Sequence, residues 1–281
     1  MNYRHAFHAG NFADVVKHAL LARVVMHLRE KDAAFRVIDT HAGAGLTDLA
    51  SDEARRGGEW QDGIGRVWQH RFEPDVAALI EPYLAAIAAR NPNGMLTSYP
   101  GSPLLIRHWL RAQDRMIACE LEPAAARALT RNLHGDPRTK AIAIDGWTAL
   151  SAFIPPKERR GLVLIDPPYE RENELQRAAD ALGAAHRKWP VGTILLWYPI
   201  KDAREIARFI KTLAALKLAK SLRIELSRIS EGGGKLRGSG LIAVNPPWTL
   251  RAQAQILLPA LSQAFWRKER SEIRVDPLGP G

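Results

Sequence analysis

A chain of 281 residues that is 46% hydrophobic can bury a sizeable core and fits roughly one to two domains. Its single cysteine, Cys119, excludes an internal disulfide, and its longest apolar run, around 191–200, is far short of a membrane span; a cytoplasmic protein with no membrane role is expected. Forty Lys and Arg against thirty Asp and Glu leave a net charge of +10, which favours a polyanionic partner, with ribosomal RNA, messenger RNA, tRNA and DNA all admissible.

Residues 1–11 crowd aromatic and basic side chains together with little periodicity and read as an arm. From Phe12, an apolar stripe of Val16, Leu20, Val24 and Leu28, with Leu21 and Val25 beside it, predicts a helix. Lys17 and His18 fall in its first turns, where a buried structural role and a ligand contact are both open. Phe35–Asp39 reads as the first strand, followed by Thr40-His41-Ala42-Gly43-Ala44-Gly45. Gly43 and Gly45 let the backbone approach a cofactor closely, or form an ordinary tight turn. Asp48 stands where a dinucleotide fingerprint needs its third glycine, which counts against NAD and FAD.

Residues 46–98 show no strand pattern. Helical segments at 63–68 and 75–89 are interrupted by Gly57-Gly58, Pro74 and Asn91-Pro92-Asn93-Gly94, which predicts a helical insertion, 47–98, inside a single domain spanning 1–281. Ser102 as N-cap and Pro103 as first residue then open a helix. Arg115–Glu120 is the second strand, and its final acid can accept ribose hydroxyls or simply face solvent. The third strand begins at Lys140 and ends in Asp145-Gly146, a turn that can also meet an adenine amine. Further strands are expected at 161–165, 191–197, 222–226 and 240–244, with helices near 124–133, 173–188, 202–218 and 249–266. This alternation predicts a doubly wound α/β sheet of about seven strands. Only the loop 230–237 separates the last two, so they should pair as an antiparallel hairpin. The tail 274–281 is expected to be disordered.

The chemistry gathers at Gly161–Tyr169. A buried apolar strand stops at Asp166-Pro167-Pro168-Tyr169, where two prolines forbid its continuation and leave carbonyls with no neighbouring N–H. It delivers a carboxylate and an aromatic ring to the carboxyl end of the sheet, where ligands sit in open parallel sheets. That set suits a flat, amine-bearing base, although the tetrapeptide alone is also a plain strand-to-loop turn. The glycine loop, Glu120 and Asp145-Gly146 end the neighbouring strands on the same edge.

This order of motifs resembles class I S-adenosylmethionine-dependent methyltransferases, and Asp-Pro-Pro-Tyr resembles their amino-methylating branch. A closer resemblance runs along nearly the whole chain. Tyr3-Arg4-His5 with Phe7–Asn11, Ala13-Asp14-Val15, Lys17-His18, Asp39–Gly45, Tyr99–Pro103, Leu164–Tyr169, Trp197-Tyr198-Pro199 and Asn245-Pro246-Pro247-Trp248 look like the bacterial 23S ribosomal RNA adenine-N6 methyltransferase family, RlmJ. The resemblance implies a Rossmann-like methyltransferase sheet, S-adenosylmethionine as cofactor with S-adenosylhomocysteine as product, and no metal. It implies 23S ribosomal RNA as partner, naked or in an early assembly particle, and a monomer with no obligate protein partner.

Cofactor contacts are implied at His18, His41, Gly43, Gly45, Ser102, Glu120, Asp145, Gly146 and Asp166. Catalysis falls to Asp166, and substrate contacts to Tyr3, Pro167, Pro168 and Tyr169; Lys17 adjoins the set. Asn245-Pro246-Pro247-Trp248 is a decoy that could also orient an amine, but it follows the seventh strand rather than the fourth. The arm and the hairpin loop carrying Lys235 and Arg237 are candidates for phosphate contact. Two rivals remain, a DNA adenine-N6 methyltransferase and a non-catalytic RNA-binding or ribosome-assembly protein on the same fold.

Overall fold

The structure, a computed structural model, describes residues 7–229, 236–267 and 269–278. It opens with α1 (Phe12–Arg29), capped by the Asn11 side chain, which accepts the Asp14 N–H. The elements then run β1 (Arg36–Asp39), β2 (Leu46–Asp48), α2 (Asp52–Gly57), α3 (Glu59–Asp62), α4 (Ile64–Gln69), α5 (Pro74–Ala88), β3 (Ser98–Pro100) and α6 (Ser102–Trp109). β4 (Arg115–Glu120), α7 (Pro123–Leu133), β5 (Thr139–Ala143), α8 (Gly146–Phe153), β6 (Gly161–Ile165) and α9 (Glu174–Lys188) follow. The chain closes with β7 (Thr193–Ile200), α10 (Ala203–Ala215), β8 (Ser221–Arg228), β9 (Gly238–Val244), α11 (Leu250–Trp266) and β10 (Ser271–Pro277).

The main sheet has eight strands in the order β10-β8-β9-β7-β6-β1-β4-β5. From β7 to β5 they run parallel; β9 inserts antiparallel between β7 and β8, which makes the expected hairpin. Every residue of β6 is buried, because helices cover both faces. Leu162 and Leu164 face the layer of α1, while Val163 and Ile165 face that of α9. The stripe read on α1 is only part of its buried surface. Asp14, Lys17 and His18 are buried with the apolar residues, since α5, α6, α11 and the sheet surround the helix.

Three departures from the sequence reading have simple causes. The insertion is tied at its neck by a ribbon in which Leu46 to Asp48 pair with Pro100 to Ser98; strands this short carry no readable period. α8 is a further unexpected helix, begun by Asp145 accepting the Thr148 N–H. The tail is the third departure. Arg274 to Pro277, expected to be disordered, complete the eighth strand by pairing with Glu225 to Leu222, and Arg223 clamps Asp276 through contacts of 3.0 and 2.9 Å. Without β10 the hydrogen-bonding edge of β8 would lie open, so pairing outweighs the entropy of a short terminal segment. Residues 279–281 lie outside the described residues. Truncation after Arg270 should lower the thermal midpoint by about 5 °C or more and promote association, as read by calorimetry and light scattering.

Candidate active site

Backbone hydrogen bonds gather the carboxyl ends of the parallel strands. The Thr40 N–H and hydroxyl both donate to the Leu164 carbonyl at 3.0 Å, Ala42 N–H donates to the Cys119 carbonyl at 2.9 Å, and Ile144 N–H to the Glu120 carbonyl at 3.2 Å. The loops after β1, β4, β5 and β6 thereby share one edge.

Asp166 enters this edge directly from β6, with its side chain 14% exposed. The Lys17 ammonium donates to Asp166 Oδ2 and, at 2.8 Å, to Asp14 Oδ1. Burial alone would lower the Lys17 pKa, but attraction to Asp14 and then Asp166, with the hydrogen bonds to both, raises it and keeps the side chain charged. Lys17 also lies over the Trp197 ring, 5.4 Å from its centroid. The second oxygen of Asp14 accepts the Gly10 N–H at 3.0 Å, joining this buried charge cluster to the base of the arm.

Tyr169 is held in the left-handed region at φ +51°. Its hydroxyl donates to the Trp197 carbonyl, and its ring meets Trp197 edge-on at 5.7 Å. The ring is thus fixed beside Asp166. Among the described residues no backbone hydrogen bond ends on the Pro167 carbonyl. Tyr3 and Lys235 lie outside the described residues.

The other half of the edge is a cradle. Gly43 and Gly45 adopt φ of +62° and +84°, and a Cβ at Gly43 would meet no atom within 4 Å. Glu120 is fixed beside the loop by accepting the Gly43 N–H at 2.9 Å and the Glu122 N–H at 2.7 Å. Gly146 leaves no room for a side chain, since a Cβ would come within 2.3 Å of the Thr40 carbonyl and 2.7 Å of the His41 ring. The His41 ring is hydrogen-bonded to the Thr40 hydroxyl at 2.7 Å and meets Trp147 edge-on at 5.1 Å. Burial pushes its pKa down to about 4, so it is neutral near pH 7. Asp145 caps α8, and Arg177 approaches it to 3.8 Å.

Two predicted residues have unexpected surroundings. Ser102 is not the N-cap of its helix: Gly101 takes that position, and the Ser102 hydroxyl instead donates to Asp39 Oδ2 at 2.7 Å. His18 is 1% exposed and sits 2.7 Å from the Tyr99 hydroxyl, which in turn meets that of Tyr83 at 2.9 Å. Asp39 itself escaped the sequence reading, although its place immediately before the glycine loop was a signal. It is fully buried, and its Oδ1 has no hydrogen-bond partner. Burial pushes its pKa up to about 7 against the opposing Ser102 hydrogen bond, and the charge on Asp166 pushes the same way.

The decoy is on the other side of the molecule. β9 runs antiparallel to β7, with Val244 opposite Ile194 and Gly238 opposite Ile200, so Asn245 emerges at the amino ends of the parallel strands. Its amide is already committed to the Pro190 and Gly192 carbonyls, each at 2.8 Å.

A mostly parallel sheet with this strand order, a glycine loop, and acids at successive strand ends defines a class I S-adenosylmethionine-dependent methyltransferase. The family model described as "Ribosomal RNA large subunit methyltransferase D, RlmJ" matches residues 32–276, and the chain belongs to that family. It is 40% identical over 262 residues to ribosomal RNA large subunit methyltransferase J of Escherichia coli K12, covering 93% of this chain and 92% of that one. Against the Haemophilus influenzae protein of the same name it is 38% identical over 267 residues, 94% of each. The crystal structure of protein LPL1258 from Legionella pneumophila superposes with a TM-score of 0.89 at 33% identity, covering 96% of this chain and 98% of that one.

The cradle fits the cofactor. The unpartnered Asp39 Oδ1 is a buried acceptor suited to an ammonium group, the space over Gly43 admits a ligand, and Glu120 retains lone pairs for ribose hydroxyls. Because a cation binds the ionised form of Asp39, cofactor affinity should rise about tenfold from pH 5.5 to 7, and Asp39→Asn should flatten that rise in calorimetric titrations. The sign is that of an acid whose pKa is raised in the free protein: lower pH protonates it and weakens the cation's hold. Lys17→Met should cost roughly 3–5 kcal/mol of folding stability in denaturant titrations, since it strands the buried Asp14 carboxylate and the largely covered Asp166 carboxylate.

Proposed function

We propose that this chain transfers a methyl group from S-adenosylmethionine to the N6 amine of an adenine in 23S ribosomal RNA. The observation that carries this reading is a carboxylate, Asp166, pinned through one oxygen by Lys17, next to a Pro167 carbonyl that no backbone N–H occupies among the described residues. Two acceptors side by side match the two hydrogens of an aromatic amine.

A stacked adenine hides that amine, so the base is presented from a single strand or flipped out of a helix. Tyr169, its ring fixed against Trp197, offers a stacking surface worth roughly 1–3 kcal/mol in other nucleic-acid complexes. The free oxygen of Asp166 and the Pro167 carbonyl hold the amine hydrogens, which sets the direction of the nitrogen lone pair. Asp39, Ser102, Glu120, Asp145, Gly146 and the Gly43–Gly45 loop would hold the cofactor, with His18 and His41 flanking it. When bound, S-adenosylmethionine supplies a methyl group already activated on a sulfonium. The chain then has chiefly to align the amine, and alignment of this kind contributes about 7–11 kcal/mol. Asp166 also stands where it can take the proton that the amine releases.

The substrate is naked RNA or an early assembly particle in the cytoplasm, and the chain acts as a monomer. No described helix is long and apolar enough to cross a membrane. The intact strand-end acids weigh against a non-catalytic RNA-binding protein on this fold, and comparing matched RNA and DNA oligonucleotides separates the DNA-methylating rival. Asp166→Ala should keep the fold and lose methyl transfer by ~10²–10⁴-fold, while Asn245→Ala keeps it, measured with labelled cofactor and mass-spectrometric mapping of the product. An active Asp166→Ala enzyme overturns the assignment.

A further inference from the structure

We propose that the outward face of α10 is a phosphate-binding strip that grips the RNA strand beside the target base; this rests on the RNA methylation proposed above. β6 and β7 are parallel neighbours with Ile165 opposite Leu196, so Trp197 to Ile200 extend β7 past the point where β6 yields to Asp166. Tyr169 anchors on that extension. α10 starts three residues beyond its end, and Lys201, between them, acts electrostatically on His8 of the arm. The upper end of the helix therefore lies at the edge where the base would be presented.

Its inner face is closed by Ile206, Phe209 and Leu213, all buried. Arg204, Arg208 and Lys211 follow one another at i, i+4 and i+7 on the opposite face, with Lys201 just ahead of the N-cap Asp202, and all four are exposed. From Arg204 to Lys211 the helical part of the strip is about 10 Å long. A solvated helix face ordinarily mixes charges in i, i+4 pairs of opposite sign. Here the acids lie off the strip: the Asp202 carboxylate caps the helix by accepting the Glu205 N–H at 2.8 Å, and Glu205 sits to one side. Arg204 and Arg208 act on Asp202 electrostatically, but none of the strip's cations forms an ion pair among the described residues. Residues 201–220 hold six basic side chains against two acidic ones, a net +4 out of the chain's +10. A basic strip with no ion pair among the described residues, continuous with the edge that would receive the base, fits a polyphosphate strand.

The same segment supplies its own control. Lys217 and Lys220 are equally exposed but lie at the far edge, where the Lys220 carbonyl accepts the Asn245 N–H. Arg204→Gln/Arg208→Gln and Lys217→Gln/Lys220→Gln remove the same charge from the two ends. With in vitro transcribed 23S ribosomal RNA, the strip variant should show KM raised about tenfold at unchanged kcat, and a slope of log affinity against log salt shallower by about 2. Its cofactor affinity and melting curve should match wild type, and the control variant should bind RNA as wild type does. An unchanged salt slope in the strip variant, or an equal change in the control, overturns the proposal. A wild-type chain that binds RNA with a slope the strip variant loses, yet transfers no methyl group, supports the strip and overturns the proposed reaction instead.

Discussion

The Lys17 ammonium is the point on which the site depends. A lone ammonium in a protein interior is expensive, and it is tolerated here because Asp14 and Asp166 bind it from two sides. The contact joins α1 to the end of β6, and Asp14 carries it on to the Gly10 N–H, while Asn11 Nδ2 reaches Glu59 of α3 at 2.9 Å. Gly10 and Asn11, the insertion and the Asp166 carboxylate are therefore parts of one hydrogen-bonded assembly. One oxygen of Asp166 is committed, and the rotamer of the other is set before any substrate arrives, which is where preorganisation has its value.

The charges at this edge have a consequence beyond geometry. Lys17 neutralises one of two carboxylates, and Asp39, fully buried, lies within electrostatic reach of both Lys17 and Asp166. Glu120 and Asp145 add further acid around the glycine loop. A chain of net charge +10 thus keeps a negatively biased cleft inside a positive surface. Such a separation suits a cationic cofactor within and a polyanionic substrate without, and neither attraction has to be traded against the other.

Strands β1, β4 and β6 were legible because each is an apolar run cut off by an acid or by prolines, and the edge they share followed from their order. β2 and β3 are only three residues each and carry no period. β10 was hidden by the proline and glycine that follow it, since its alternation matters only once β8 offers an edge. The candidate site could be named from the sequence as single residues but not as pairs. Asp166 and Lys17 are 149 positions apart, Asp39 and Ser102 are 63 apart, and no local rule joins them. Ser102 shows the limit most clearly. Its type and place satisfied the capping rule, yet the extended Gly101 at φ −71° and ψ 176° took the cap and freed the hydroxyl for Asp39.

The two Pro-Pro motifs show why topology rather than sequence decides chemistry. Both follow buried apolar strands, and both offer a side-chain oxygen followed by two prolines and an aromatic residue. β6 is parallel to its neighbours, so Asp166 arrives at the edge where Asp39, Glu120 and Asp145 also end. β9 is antiparallel, so the same kind of motif arrives at the opposite edge, where Asn245 closes a turn and Trp248 is 85% exposed. Reversing a strand moves its final residue across the height of the sheet, about 3.3 Å for every residue of its length. No substitution at Asn245 could recover that distance. Strand direction alone therefore decides which of the two motifs reaches the glycine loop, and in this fold it is the one carrying Asp166.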